Sequence, residues 1–158
     1  MKIKQLSIFV ENKAGRLAEI TKTMAEAGID IRAISVADTS DFGILRLIVD
    51  NPDKAVESLR AANMTVSLTE VIGIGIQDKP GEFAKAMAVM AAADVTIEYL
   101  YAFISRDQGK ASVILRVDDN DKAIEALQRQ GDVYKRQPFR YGYLSVHGRF
   151  HLCPAWLQ

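Results

Sequence analysis

The chain is written twice. Asn12-Lys13-Ala14-Gly15-Arg16-Leu17 returns as Asp78-Lys79-Pro80-Gly81-Glu82-Phe83, 66 residues later, and Asp53-Lys54-Ala55-Val56-Glu57 returns as Asp121-Lys122-Ala123-Ile124-Glu125, 68 residues later. The two extra residues fall in the middle hairpin, where Thr39-Ser40-Asp41-Phe42-Gly43 becomes Ser105-Arg106-Asp107-Gln108-Gly109-Lys110-Ala111. An insertion confined to a turn is what a duplicated unit tolerates. The repeat restricts the fold to two copies of one small unit, residues 1–69 and 70–131. A unit that small buries a limited core, so the two copies are expected to lean on each other. Each copy sets a glycine-containing polar loop at the start of a helix, a pattern that suggests a binding device rather than a catalyst.

Periodicity gives the order of elements within each copy. Leu6, Ile8 and Val10 alternate with Ser7 and Phe9, as in a strand. Asn12 offers a helix start, Leu17, Ile20 and Met24 follow at helical spacing, and Gly28 stops the helix. Ile29, Ile31, Ala33 and Ser35 begin a second strand, Ile44 to Val49 a third, and Met64 to Leu68 a fourth. Between the last two, Pro52 opens a helix in which Ala55, Val56 and Leu59 face inward. The second copy follows suit. Ile72, Ile74 and Ile76 form a strand, and Phe83, Met87 and Met90 stripe a helix. Val95, Ile97, Tyr99 and Tyr101 fall on one side of the next strand. Val113, Leu115 and Val117 alternate in the third, and Ala123, Ile124 and Leu127 carry the last helix. Two βαββαβ units give an α+β fold with antiparallel sheets and helices on one face. Joined edge to edge, they would make one eight-stranded sheet and remove exposed strand edges.

Composition excludes several function classes. Twenty basic and twenty acidic residues balance to zero net charge, so nothing draws the chain toward nucleic acid or a membrane surface. A single cysteine, Cys153, allows no internal disulfide and no thiolate-cluster metal site. No apolar run is long enough to span a membrane, and Met1-Lys2-Ile3-Lys4-Gln5-Leu6 is no signal peptide. A soluble cytoplasmic protein is the expectation. The repeats hold no Ser/His/Asp set, no phosphate-binding loop and no metal-spaced histidines, so neither catalysis nor a cofactor is expected.

Several residues have a structural as well as a functional reading. Asn12 and Asp78 could be helix N-caps, worth about 1 kcal/mol each. Asp118-Asp119 reads as a cap rather than a metal site. Gly73 and Gly75 invite close packing. Met87 and Met90 read as adaptable core. Tyr99 and Tyr101 are either pocket walls or ordinary strand aromatics.

A βαββαβ unit with an Asx-x-x-Gly loop after its first strand resembles the ACT domain, a ferredoxin-like small-molecule sensor of amino-acid metabolism. Two such units with little else are similar to tandem ACT proteins, and the segment Val95-Thr96-Ile97-Glu98-Tyr99-Leu100-Tyr101-Ala102-Phe103 strengthens the likeness. The resemblance covers about residues 3–131. It implies a free amino acid bound where ACT units meet, through Asn12, Lys13, Ala14, Gly15, Arg16 and Leu17 or through Asp78, Lys79, Pro80, Gly81, Glu82 and Phe83. A polar residue near the start of the second strand, Asp30 or Thr96, is implied to assist. The physics of the loop agrees. Amides at a helix start have no intrahelical partner and favour an anion, which a ligand carboxylate supplies. Gly15 and Gly81 allow close backbone approach, and Asn12 or Asp78 could accept from the ligand ammonium. Glu82 stands where the first loop has Arg16, so the first loop is expected to bind the carboxylate more tightly.

The resulting expectation is a non-catalytic amino-acid sensor that forms a homodimer and is read by a biosynthetic enzyme, with no metal. Alternatives are a regulatory subunit resembling the small subunit of acetolactate synthase, and a dimerisation module without a ligand. From about residue 132 the repeat is lost, and both histidines, the cysteine and the only tryptophan fall in residues 147–156. Asp132-Val133-Tyr134-Lys135-Arg136-Gln137 also reads as the translation of a transposon end used in preparing DNA libraries. Residues 132–158 are therefore expected to be an unrelated tail, artefactual or disordered, in place of the last strand of copy two.

Overall fold

The computed structural model describes residues 2–38, 41–104 and 110–129. Its elements run β1 (Lys2–Glu11), α1 (Arg16–Glu26), β2 (Ile31–Asp38), β3 (Phe42–Val49), α2 (Pro52–Ala61) and β4 (Val66–Gln77). They continue as α3 (Glu82–Ala92), β5 (Ile97–Ile104), β6 (Lys110–Val117) and α4 (Asn120–Arg129). The strands form one six-stranded sheet in the order β2-β3-β1-β4-β6-β5, with every neighbouring pair antiparallel. The architecture is the expected α+β arrangement of two βαββ-type units. The expected last strand of the second unit, the tail from 132 onward and residues 39–40 and 105–109 of the two hairpins lie outside the described residues, while Phe42 and Gly43, expected in the first turn, already belong to β3.

The sheet differs from the eight-stranded arrangement at the join. The strands expected at 64–68 and 72–76 are one strand, β4. The stretch Val66-Ser67-Leu68-Thr69-Glu70-Val71-Ile72 contains no glycine, proline or Asx to turn the chain, so the alternation simply continues. Through Val66–Ile72 this strand pairs with β1, and through Ile72–Gln77 it pairs on its other side with β6. The boundary between the repeats at 69/70 thus runs through the middle of a strand.

Three cores are formed among the described residues. Leu6, Ile8, Leu45 and Leu47 pack with Ile20 and Met24 of α1 and Leu59 of α2. Ile72, Ile74, Val113 and Leu115 pack in the same way with Met90 of α3 and Leu127 of α4. These residues alternate along their strands on one face, so the helices share that face. The third core lies on the other face and draws on both units: Ala33, Ile48, Val71 and Ile114, with Ile3, Tyr101 and Phe103 packed against them. Arg46 of β3 reaches the ring of Tyr99 in β5, 3.9 Å from its centroid, across three intervening strands. The helix-free face must therefore curl strongly, an extreme of ordinary strand twist.

A β-bulge at the same place in each unit corrects the strand phase read from sequence. The register shifts between Ile31 and Ala33 in β2 and between Ile97 and Tyr99 in β5. Ile31 packs on the helix side, whereas Ala33 belongs to the opposite core. Past the bulge it is Ile34 and Val36, opposite Leu47 and Leu45, that turn to the helix side. Likewise Ile97 packs with the helix-side core, while Tyr101 packs on the other face. An extra residue in one strand flips every later side chain.

Candidate functional site

The loop between β1 and α1 is built from backbone bonds. Asn12 N–H donates to Asp41 O (3.0 Å), Lys13 N–H to Glu11 O (2.8 Å) and Arg16 N–H to Lys13 O (3.3 Å). The chain then enters α1 through Gly15 at φ +90°. A β-carbon at Gly15 would meet nothing within 4 Å, so the backbone angle requires glycine there, not crowding within the chain.

The helix starts of each unit differ in kind. In α2, Asn51 Oδ1 accepts from Lys54 N–H at 3.1 Å. In α4, Asp119 Oδ1 accepts from Asp121 and Lys122 N–H, both at 3.0 Å. In α1 and α3 the cap positions are Gly15 and Gly81, and neither helix has a side-chain cap. The structure therefore corrects the reading of Asn12 and Asp78 as N-caps: both lie three residues ahead of the cap glycine. It bears out Asp119, the second residue of the Asp118-Asp119 pair, as a cap.

Beside the uncapped start of α1 lies a cavity of about 150 Å³, lined by Val10, Glu11, Asn12, Lys13, Arg16, Leu17, Val36, Gly43 and Leu45. Its floor is aliphatic. Its rim is charged: Lys13 Nζ is 2.9 Å from the Glu11 carboxylate, and Arg16 lies 3.8 Å from Glu11 and 2.8 Å from Glu19. The hydrogen bond from Lys13, and then its charge, hold the Glu11 carboxyl below the usual carboxylate range. Partial burial opposes this, and Arg16 adds to it. The hydrogen bond from Arg16 to Glu19 raises the Arg16 guanidinium further above its ordinary value. With Leu17 and Val36 about half exposed, the cavity is accessible along the outer edge of the unit.

Of the residues singled out in the first loop, the structure thus gathers Asn12, Lys13, Arg16 and Leu17 around one cavity, with Ala14 and Gly15 in the loop that supports them. Asp30 is elsewhere. It stands at the start of β2, beside Val49 and Asp50, whereas the loop follows the end of β1 next to Phe42. Its N–H donates to Asp50 Oδ1 (3.0 Å), and its carboxylate pairs with Arg32 (3.0 Å). Thr96 repeats the arrangement, with its N–H donating to Asp118 Oδ1 at 3.0 Å. Burial pushes the Asp118 carboxyl up, but hydrogen bonds from Thr96 and nearby amides outweigh it and the net shift is downward. Both residues therefore serve a latch between strands at the far end of their unit.

In the second loop, Lys79 N–H donates to Gln77 O (2.9 Å) and Glu82 N–H to Lys79 O (3.3 Å), with Asp78 and Pro80 in the same turn and Gly81 at φ +91°. The backbone copies the first loop, but the charges are reversed. Arg16 pairs with Glu19 in α1, whereas Glu82 pairs with Lys85 in α3, at 2.7 Å. Phe83, like Leu17, is partly exposed.

Sequence reasoning missed Val10, Glu11, Val36, Gly43 and Leu45. Glu11 borders the motif and could have been included. Val36 was hidden by the bulge. A polar cluster was missed as well. Fully buried Gln5 donates from Nε2 to Tyr99 OH (2.7 Å) and Ser7 Oγ (3.2 Å), and accepts from Tyr101 OH (3.0 Å) at Oε1. Burial raises the Tyr101 phenol above its ordinary value, as does Tyr99, while Arg46 acts in the other direction. Tyr99 and Tyr101 thus join the two units rather than line the cavity. Met90 is buried and Met87 packs against the same core, as expected. Gly73 and Gly75 lie in β4 opposite Ile114 and Ser112.

Among the described residues, no cluster of three or more His, Cys, Asp or Glu side chains could hold a metal ion. None of their helices is long and apolar enough to cross a membrane.

Comparison with known proteins agrees with this architecture. A family model for a pair of ACT domains matches residues 1–135. A crystal structure of a Bacteroides thetaiotaomicron protein superposes with a TM-score of 0.78 at 43% identity, covering 82% of this chain and 89% of that one. The ligand-free regulatory subunit of aspartate kinase from Thermus thermophilus superposes with a TM-score of 0.59 at 20% identity, covering 82% and 93%, a likeness of fold. The aspartokinase of Corynebacterium efficiens is 28% identical over 138 residues, which cover 77% of this chain but 32% of the kinase. The chain thus spans about a third of that curated relative.

Proposed function

This chain belongs to the ACT domain family, as a pair of ACT units, and from that premise we propose that it is a non-catalytic regulatory protein that binds a free amino acid at the loop between β1 and α1. One observation carries the proposal. Each unit caps its second helix with its own Asx side chain and leaves its first helix with a bare glycine cap. In the first unit that bare start borders a cavity with an aliphatic floor and a charged rim, in which Lys13 and Arg16 are paired with Glu11 and Glu19. The α1 dipole and the charges of Lys13 and Arg16 favour a carboxylate there. Glu11 and Asn12 offer acceptors to an ammonium, and Val10, Leu17, Val36 and Leu45 take the side chain.

The second loop is the weaker site in this account. Glu82 sets a carboxylate, 13% exposed, in the first turn of α3, where it repels a ligand anion. Asp30 and Thr96 are not proposed as contacts, because each is engaged in a strand latch. The account also includes a homodimer, since Leu17, Ile34 and Val36 leave an apolar strip exposed beside the cavity, which a second copy would cover. The protein that reads the ligand is proposed to be an amino-acid biosynthetic enzyme. Support comes from the aspartokinase that contains a similar region within a longer chain.

A thermal-shift screen of the chain against the twenty amino acids tests the proposal. A ligand at about 100 times its Kd stabilises by roughly 2.7 kcal/mol, a shift of several degrees for a protein of this size. A hit abolished by Gly15→Val supports the site. Silence across all twenty contradicts it.

A further inference from the structure

We propose that the helix-free face of the first unit binds a nucleoside monophosphate, with its base packed on the rings of Phe9 and Phe42 and its phosphate held by Arg46. This face is turned away from the helix-side cavity beside α1, so the proposal is independent of the amino-acid reading of that cavity.

An aromatic platform is the first observation. Phe9 of β1 and Phe42 and Ile44 of β3 are 54%, 44% and 39% exposed on the face opposite the helices. Phe9 and Ile44 are paired neighbours, and the rings of Phe9 and Phe42 stack with their centroids 5.1 Å apart. Contiguous apolar exposure of this kind marks a binding surface, and stacking bases on sheet aromatics is an effective way to hold nucleotides. The fold does not require these rings. At the matching positions the second unit has Gly75, Lys110 and Ser112, and it has Ile114 in place of Arg46.

A cation without a counter-ion is the second. Arg46 stands two residues along β3 from Ile44 on the same face, a step of about 7 Å. Its guanidinium lies over the ring of Tyr99, an attraction that positions the charge without neutralising it. Its Nε is buried with no acceptor, and among the described residues no carboxylate pairs with it. Ser7 and Ser35 flank it in register on either side. Ser7 Oγ accepts from Gln5 Nε2, which leaves its own proton to donate. A guanidinium between two hydroxyls matches the three oxygens of a phosphate better than the two of a carboxylate.

Charge also separates a nucleotide from other occupants. A second copy seated on the rings would bury Arg46 without a counter-charge, which is costly. Glu11, opposite Phe42 in the ladder, already holds Lys13 and Arg16. A nucleic-acid strand needs several cations along its path, whereas among the described residues this platform carries one, with Tyr99 beyond it.

Calorimetry on the full chain tests the proposal, with AMP, adenosine, inorganic phosphate, phenylalanine and a short oligoadenylate as probes. AMP is expected to bind, and adenosine to be weaker by about tenfold or more for want of the charged contact. Phe9→Ala and Phe42→Ala should each weaken AMP at least about fivefold, and Gly15→Val should leave it unchanged. Arg46→Gln should bring AMP down to the level of adenosine while adenosine stays as it was, a change that loss of stability alone does not produce. Should Phe9→Ala fail to fold, Phe42→Ala and Arg46→Gln still decide. Absence of AMP binding, or equal binding of AMP and adenosine, would overturn the proposal. So would loss of AMP binding in Gly15→Val, which would move the ligand to the α1 cavity. Tighter binding of phenylalanine, or of the oligoadenylate per nucleotide, would assign the face to another ligand class. A dimer that Phe9→Ala converts to single chains, with no AMP bound, would assign it to a second copy.

Discussion

Gly15 stands at φ +90° with open space where a β-carbon would be. Replacing it therefore costs backbone strain rather than a clash. Gly15→Ala and Gly81→Ala should each lower stability by about 1–2 kcal/mol in chemical denaturation. The two glycines should separate when binding is measured. Gly15→Val is expected to abolish ligand heat in calorimetry, and Gly81→Val to leave most of it, because Glu82 already disfavours an anion in the second loop. Equal losses would contradict the asymmetry. Glu11 adds a dependence on pH. Its folded value is depressed, chiefly by the hydrogen bond from Lys13, so its contribution is present above the ordinary glutamate value of about 4.3 and is lost as pH falls through the folded value. Melting curves should show no slope from this residue between about pH 6 and 8, and a decline in acid that Glu11→Gln reduces. At this scale the glycine motif was legible because only a few residue types suit its conformation. The Asn12 cap was misread because an Asx-x-x-Gly loop and a capping Asx look alike until the helix start is known.

Among the elements, the contrast between capped and uncapped helices is itself testable. Asn51→Ala and Asp119→Ala should each cost about 1 kcal/mol, whereas Asn12→Ala should cost less stability and more affinity. The Gln5 cluster tests how the units are joined. Gln5→Leu removes the partner of two tyrosine hydroxyls and should cost about 2 kcal/mol. Adding Tyr101→Phe should return part of that cost, because one orphaned hydroxyl is then gone. Additive losses would mean that the cluster does not act as a unit. Helices and most strands were legible because both copies repeat the same apolar spacing. The faces of β2 and β5 were not, since a bulge inserts no recognisable residue yet inverts everything after it. Asp30 and Thr96 stand at the start of their strands as expected, but apart from the glycine loop of their own unit for a topological reason. A strand–helix–strand crossover makes β1 and β2 parallel, so the start of β2 lies at the opposite end from the loop that follows β1.

At the scale of the whole molecule, the duplication foretold two units but not how they are welded. One uninterrupted strand, β4, serves both, and a core on the helix-free face draws from both. A change in packing at one loop can therefore bias the other unit, provided the ligand prefers one arrangement. Edge strands β2 and β5 end the sheet, and Ile34 is about half exposed on β2 beside the cavity. If a second copy covers that strip, sedimentation should give the mass of two chains, and Ile34→Lys should give that of one.

The claim on which the rest depends is that an amino acid sits at the uncapped start of α1. Amide chemical shifts of the labelled full chain, followed during titration with the best amino acid, test it most directly. The account predicts saturable movement concentrated at Lys13, Gly15, Arg16, Leu17 and Val36, with far smaller movement at Gly81 and Glu82. Movement centred on the second loop, or at Asp30 and Thr96 instead, would contradict it.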